Sequence, residues 1–408
     1  MKHLHYYKND IEKLLMTVIW GGFLCAWFST PFLVDMKMIG LLAVMLALVI
    51  LFFKISQCLR IILINQYLFV FIYFLMCFFV LNTLYISGGY FTFATILGTL
   101  TIGYYTSKYS SKWMLWICNF ILILFGGYVI LMLQILKLPA IFLFPEVSTN
   151  TVSAVAIIIS SLAYLLEYLL HKYFSLWQAL LTAYLSLITP SVSRTGFFVS
   201  VLLVFVIVFN RIRNMKNHKI WQFIVLFFGS LSLILFLIYN PSFIADKVQQ
   251  FYETRESSGN NVNGGLFSSP RWGMWLEYID NLNFVEFLIG KNLDTYKETY
   301  FMQHHGNLHS AFFAMHARAG FSVFIFLLTI LYIGFYVFKN RKKQIALFLV
   351  FCLALLRGAT DRLFFFYLND FVIWAYLFTF ISEMRNNNIF IKPSNRVHNV
   401  IGEYSNEK

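Results

Sequence analysis

MKMIGLLAVMLALVILFF, residues 36–53, carries one charge, Lys37, in eighteen positions. A stretch that long and apolar is read as a membrane-spanning helix, since about 20 such residues cross the hydrocarbon of a bilayer. Similar runs recur on both sides of it. The pattern places helices at 14–34, 36–53, 61–81, 90–106, 113–136, 152–170, 173–190, 197–210, 220–239, 310–338, 344–358 and 363–382. The expected fold is therefore all-α. It is a polytopic integral membrane protein with about 12 transmembrane helices, because irregular backbone cannot face lipid.

Composition agrees. Of 408 residues, 60% are apolar and 12% are charged, against roughly 25% charged in a soluble domain. That balance argues against a soluble enzyme, a nucleic-acid-binding protein and a disordered chain. The net charge of +13 is explained by Lys and Arg between the apolar runs, where they orient the chain. With the N-terminus inside, twenty of the thirty-one basic residues fall in cytoplasmic segments and both termini are cytoplasmic. No small-residue cleavage site follows Phe28, so the first run reads as an uncleaved span. Cys25, Cys77, Cys118 and Cys352 lie in apolar runs and Cys58 in a short basic loop. No disulfide framework is expected from them.

One segment breaks the alternation. Residues 240–309 are polar, follow spans one to nine (1–239) and precede spans ten to twelve (310–382) and a tail (383–408). The topology puts this loop outside the cytoplasm. Residues 253–269 read as a Ser-, Asn- and Gly-rich linker. Ser269 and Pro270 then start a short helix to about Asn283, as N-cap and first-turn residues. On it Arg271, Trp275 and Tyr278 share a stripe, with Trp272, Leu276 and Ile279 beside them.

Few residues are equipped for chemistry. Arg194, in Ser193-Arg194-Thr195-Gly196 at an outer helix mouth, is either an interfacial arginine snorkelling to headgroups or a clamp on phosphate oxygens assisted by Ser193. Arg271 either lies on a surface helix or presents its cation to a lipid-linked phosphate. His309, in Gly306-Asn307-Leu308-His309-Ser310, either caps a helix end or accepts a hydroxyl proton. His304, His305 and His309 cluster, but without a metal-site spacing, and no metal or cofactor is expected. Arg318 and Arg357 are secondary substrate-binding candidates, and Arg357 and Asp361 are spaced to pair with each other. Glu167 and His171 read as structural. The chain has no phosphate-binding glycine loop, no paired acidic motif for Mg²⁺ and no nucleophile elbow.

A Ser-Arg-x-Gly at a helix mouth, a long loop with Arg271-x-x-x-Trp275, and His309-Ser310 at the start of the next span together resemble the O-antigen ligase and polymerase superfamily. The likeness covers about residues 186–325. It implies a metal-independent, inverting glycosyltransferase of the bacterial inner membrane. The donor and acceptor would be undecaprenyl-diphosphate-linked oligosaccharides, and a chain-length regulator could be a further partner. It also implies that Arg194 and Arg271 bind the diphosphate, that His309 activates the acceptor hydroxyl, and that Trp275 positions the loop helix, with Tyr278 close to substrate. Where relatives often carry an acidic residue before a glycine turn, this chain has His316-Ala317-Arg318-Ala319-Gly320. The expected activity is polymerisation of lipid-linked repeat units. The alternatives are ligation of a finished glycan to lipid A core and, in another class, a lipid-linked oligosaccharide flippase.

Overall fold

The computed structural model describes residues 2–32, 36–64, 66–86, 90–138, 143, 151–189, 194–213, 270–291, 293, 308, 310–340, 344–361 and 363–388. Within its helices the side chains of Arg194, Pro270, Arg271 and Trp272 are outside that description. So are the expected span at 220–239, the linker 253–269 and most of the tail. Among the described residues the regular structure is helical throughout.

The helices are α1 (Lys2–Ser29), α2 (Met36–Ile64), α3 (Gln66–Ile86), α4 (Tyr90–Lys108), α5 (Lys112–Ile130), α6 (Thr151–His171), α7 (Leu176–Ile188) and α8 (Arg194–Arg213). They continue with α9 (Pro270–Asp280), α10 (Phe284–Ile289), α11 (Ala311–Ala319), α12 (Ser322–Asn340), α13 (Ile345–Ala359) and α14 (Asp370–Asn388). Among the described residues, six stretches are long and apolar enough to cross a membrane: Ile11–Phe32, Met38–Leu63, Lys112–Ile135, Thr151–His171, Thr195–Arg213 and Ser322–Lys339. Phe69–Leu84, Leu176–Ile188 and Ile345–Ala359 are shorter apolar helices.

Helix α6 sits at the centre, buried from Val152 to Tyr168. The outer helices turn large apolar side chains outward, among them Phe52 of α2, Leu84 of α3 and Leu331 of α12. A soluble protein rarely exposes so much apolar surface, whereas a bilayer solvates it. Between helices, where lipid gives no hydrophobic drive, small residues and hydroxyls make the contacts. Gly103 of α4 lies so close to α14 that a Cβ there would sit 2.4 Å from that of Trp374. Ser160 bonds Thr182 at 2.6 Å, Ser186 bonds Ser200 at 2.8 Å, and the Tyr376 hydroxyl donates to the Ser161 carbonyl at 2.7 Å.

Polar contacts sort to the two ends of the bundle. At one end Lys54 pairs with Glu12 at 2.6 Å, Lys172 with Glu383 at 3.2 Å, and Arg211 donates to the Phe174 carbonyl and the Tyr173 hydroxyl. Glu167 there accepts from the Ser175 amide and hydroxyl, closing the start of α7. At the other end Trp27 donates to Asn369 at 2.5 Å, and Asn82 donates to the carbonyls of Ile289 and Ala317 at 2.9 and 3.2 Å. Helix α8 runs from the second end, where Ser200 meets Ser186, to the first, where Arg211 sits.

Three expectations need correction. The basic stretch around Cys58 is no loop: α2 continues to Ile64 and Cys58 is buried, helped by the Lys54–Glu12 pair. The span expected at 310–338 is two helices, α11 and α12. Gly320 breaks it at φ 47°, with the Leu288 carbonyl oxygen 2.0 Å from where a Cβ would stand. The loop helix stops at Asp280, and a second one, α10, follows it. Asn283 and Glu286 form a capping box at its start, with bonds of 2.8 and 3.1 Å, so both end groups are satisfied reciprocally.

Candidate functional site

Helix α9 packs on α11 through the stripe that carries Met274, Trp275 and Tyr278, while Leu276 and Ile279 face outward. The Trp275 indole stacks on Phe313 (5.4 Å, 24°), and its N–H donates to the Leu308 carbonyl at 2.6 Å. Leu308 precedes His309 in sequence, and Trp275 lies one helical turn after Arg271. One bond thus ties the helix of the Arg271 motif to the segment of the His309 motif.

One turn on, the buried Tyr278 hydroxyl lies 2.8 Å from Nδ1 of His316, and Nε2 of His316 lies 3.1 Å from the Phe287 carbonyl. A carbonyl only accepts, so Nε2 carries the proton. Neutral His316 then accepts a hydrogen bond at Nδ1 from the Tyr278 hydroxyl. Helix α11 is outside the spans identified above. Burial pulls the pKa of His316 below the ordinary 6.5, and the Phe287 bond opposes this, because a buried imidazolium loses hydration. His316 therefore clasps α9 and α10 onto α11 in its neutral form.

Helix α10 is wedged beneath. Gly290, at φ 97°, ends it where a Cβ would meet the Ala317 carbonyl oxygen at 2.4 Å, and the Phe321 amide donates to Leu288 at 2.9 Å. Between α9, α10, α11 and the first turns of α12 lies a groove of about 550 Å³. Aromatic side chains such as Phe284, Phe287 and Phe324 line it, with Tyr278 and His316 at its polar edge.

The opposite side of α11 meets the segment 363–370. Phe365 and Phe366 there have φ of 66° and 71°, a left-handed conformation that costs a non-glycine residue about 1–3 kcal/mol. Asp370 holds them. One carboxylate oxygen accepts from the Phe365 amide at 2.6 Å, the other from Phe366 at 2.6 Å and Tyr367 at 3.2 Å. Asn369 adds a bond to the Leu363 carbonyl at 2.6 Å. The guanidinium of Arg318 rests over the Phe366 and Tyr367 rings, at 5.7 and 5.6 Å. Arg357, 1% exposed, donates to Asp361 at 3.2 Å as its spacing suggested, and next to it Gly358 packs against Phe364 and Ala311.

Of the residues singled out in the sequence, Trp275 and Tyr278 come together on α11. Arg318 lies on the other face of that helix, and Arg357 is buried in an ion pair. Arg194 and Arg271 are placed by backbone only, as the first residue of α8 and the second of α9. Ser193 and His309, with His304 and His305, lie outside the described residues. Sequence reasoning did not single out His316, Asp370 or Asn82. Asp370 carried a usable signal, an acid opening an apolar run. His316 lies seven positions, about two turns, after His309.

Among the described residues no three His, Cys, Asp or Glu side chains gather as metal ligands. No family model, no curated protein and no solved structure matches this chain.

Proposed function

We propose that the protein is a membrane glycosyltransferase that polymerises lipid-linked glycan repeat units. In this reading it has about twelve spans. The protein sits in the bacterial inner membrane, the end built from α9, α10 and α11 faces away from the cytoplasm, and both termini are cytoplasmic. The growing glycan leaves its undecaprenyl diphosphate and joins the non-reducing end of a second lipid-linked unit.

A hydroxyl of the acceptor sugar attacks the anomeric carbon, the bond from that carbon to the diphosphate breaks, and the configuration inverts. The hydroxyl proton passes to His309 and the electron pair leaves with the diphosphate. Arg194 and Arg271 take up the charge growing on the leaving group, an electrostatic role worth several kcal/mol, about 3 for a single well-aimed donor. Orientation of two lipid-held reactants supplies much of the remainder.

The observation that carries the reading is the 2.6 Å bond from the Trp275 indole to Leu308. It joins two motifs separated by more than thirty residues of sequence. The charge bias supports the orientation, since Lys54, Lys172 and Arg211 gather at the opposite end.

Single Arg194→Ala, Arg271→Ala and His309→Ala exchanges test it in cells. Each is expected to collapse surface glycan to single repeats while the protein remains inserted in the membrane. Normal chain length in all three variants contradicts the catalytic assignment. Long chains stranded on the carrier lipid point instead to a ligase.

A further inference from the structure

Arg318 offers a guanidinium whose hydrogen-bonding capacity the described chain does not use. Arg357 donates to Asp361, and Arg211 to Phe174 and Tyr173. Arg318 makes neither an ion pair nor a hydrogen bond with any described residue. It is held by the faces of Phe366 and Tyr367. The rings supply cation–π attraction without using any of the five guanidinium donors. The neighbouring carboxylate does not take them. Asp370 attracts Arg318 through space, but its two oxygens are occupied by the amides of Phe365, Phe366 and Tyr367.

The shelf beneath the guanidinium is built at a cost. Two consecutive aromatic residues adopt left-handed backbone, and a buried acid, a side-chain amide and the Trp27 indole hold the segment in place. Backbone strain of this kind persists where surrounding structure enforces it, and it collects at ligand sites. Packing explains part of the arrangement, since the Phe366 ring stacks on Phe79 at 5.3 Å. It does not explain why a half-buried cation held over two rings makes no hydrogen bond to a described residue.

We infer that Arg318, seated on the Phe366–Tyr367 shelf, is a phosphate-binding residue that grips the diphosphate of a prenyl carrier. A planar fork matches the oxygens of a phosphate bidentately, which a lysine does not. Arg318 is two positions beyond His316, about 200° around the helix. This seat therefore faces the 363–370 segment, on the side of α11 turned away from Tyr278. The inference rests on the proposed glycosyl transfer for the identity of the anion, but its test does not depend on turnover.

The test uses the full chain in phosphatidylcholine nanodiscs, titrated with farnesyl diphosphate, inorganic pyrophosphate and farnesol. Saturable binding of both diphosphates and not of farnesol is expected. Arg318→Gln should weaken it at least tenfold, and Arg318→Lys should weaken it less, because charge remains without the fork. Asp370→Asn should weaken it with Arg318 intact, because the shelf loosens. Lys172→Gln, at the opposite end, is the control and should bind as the wild type does.

Equal affinity in wild type and the Arg318 variants overturns the inference, as does failure of the wild type to bind. Should Arg318→Gln not fold, Arg318→Lys and Asp370→Asn decide the matter. Adding phosphatidylglycerol to the discs separates carrier from bulk lipid. Arg318-dependent competition by that lipid, without Arg318-dependent binding of farnesyl diphosphate, overturns the carrier assignment. Arg318-dependent diphosphate binding by a protein that makes no glycan sinks the polymerase reading and leaves the anion seat standing. Unchanged polymerisation and unchanged binding in Arg318→Gln does the reverse.

Discussion

The Tyr278 hydroxyl donates to Nδ1 of His316 across 2.8 Å, and this bond fixes α9 against α11 with the imidazole neutral. Tyr278→Phe keeps the ring contact with Phe313 and removes only the hydroxyl. It leaves a buried nitrogen without its donor, which costs about 1–3 kcal/mol. A lower melting temperature in detergent is expected, with unchanged helix content by circular dichroism. A melting temperature equal to the wild type would mean that the hydroxyl is dispensable.

The same pair predicts a pH dependence. Burial sets the pKa of His316 below 6.5 in the folded protein, so the unfolded chain binds the proton more readily. Stability from this group is complete above pH 6.5 and is lost as pH falls through the window down to the folded value. Thermal melts at pH 7.5 and 5.5 should show the wild type weakened at the lower pH. His316→Gln should show a smaller difference between the two.

Asp370 anchors a strained segment, so its replacement should act beyond its own position. Asp370→Ala leaves the amides of Phe365, Phe366 and Tyr367 without their acceptor. A loss of about 3 kcal/mol or more is expected, since each buried orphan donor costs about 1–3 kcal/mol. Limited proteolysis should then cut within 361–370 in the variant and spare the wild type.

Arg357 and Asp361 form a pair whose arginine is buried and whose acid is partly exposed. Asp361→Ala removes the carboxylate to which buried Arg357 donates at 3.2 Å and is expected to cost up to about 3–5 kcal/mol. Arg357→Met replaces the buried cation by an apolar side chain, keeps the partly exposed acid, and should destabilise less. Melts of the two single variants check the order, and equal losses would show that the pair's burial is unimportant.

Gly103 should tolerate nothing larger. A Cβ there meets the Trp374 Cβ at 2.4 Å and the Ala375 amide nitrogen at 2.7 Å. Gly103→Leu is expected to separate α4 from α14 and abolish a monodisperse elution peak in size-exclusion chromatography. Gly127→Ala, where a Cβ meets nothing within 4 Å, should elute normally.

The helices that cross lipid were legible because lipid contact demands apolar residues along the whole element. The run 36–53 therefore announces itself, and α2 covers it, whereas the run 152–170 is apolar because α6 is packed inside the bundle. The ends of helices were less legible. The basic residues after Phe53 looked like a loop because nothing local reveals that Glu12, forty-two positions away, neutralises Lys54. Gly320 was visible, but its break is decided by the Leu288 carbonyl arriving from α10. At the site, the stripe of Trp275 and Tyr278 followed from helical periodicity. Their partners, Leu308 and His316, did not, because which face of α11 receives α9 is a tertiary choice. His316 sat in plain view beside Arg318, yet a lone histidine gives no sign of a buried tyrosine above it.

The most direct test of glycosyl transfer is reconstitution with a defined substrate. The purified chain in liposomes would receive a synthetic undecaprenyl-diphosphate-linked repeat unit, and the products would be separated by gel and mass spectrometry. A ladder differing by one repeat, with release of undecaprenyl diphosphate and loss of both in Arg271→Ala, is the predicted result. Untouched starting material, from protein shown to be folded and to bind the lipid, would contradict it.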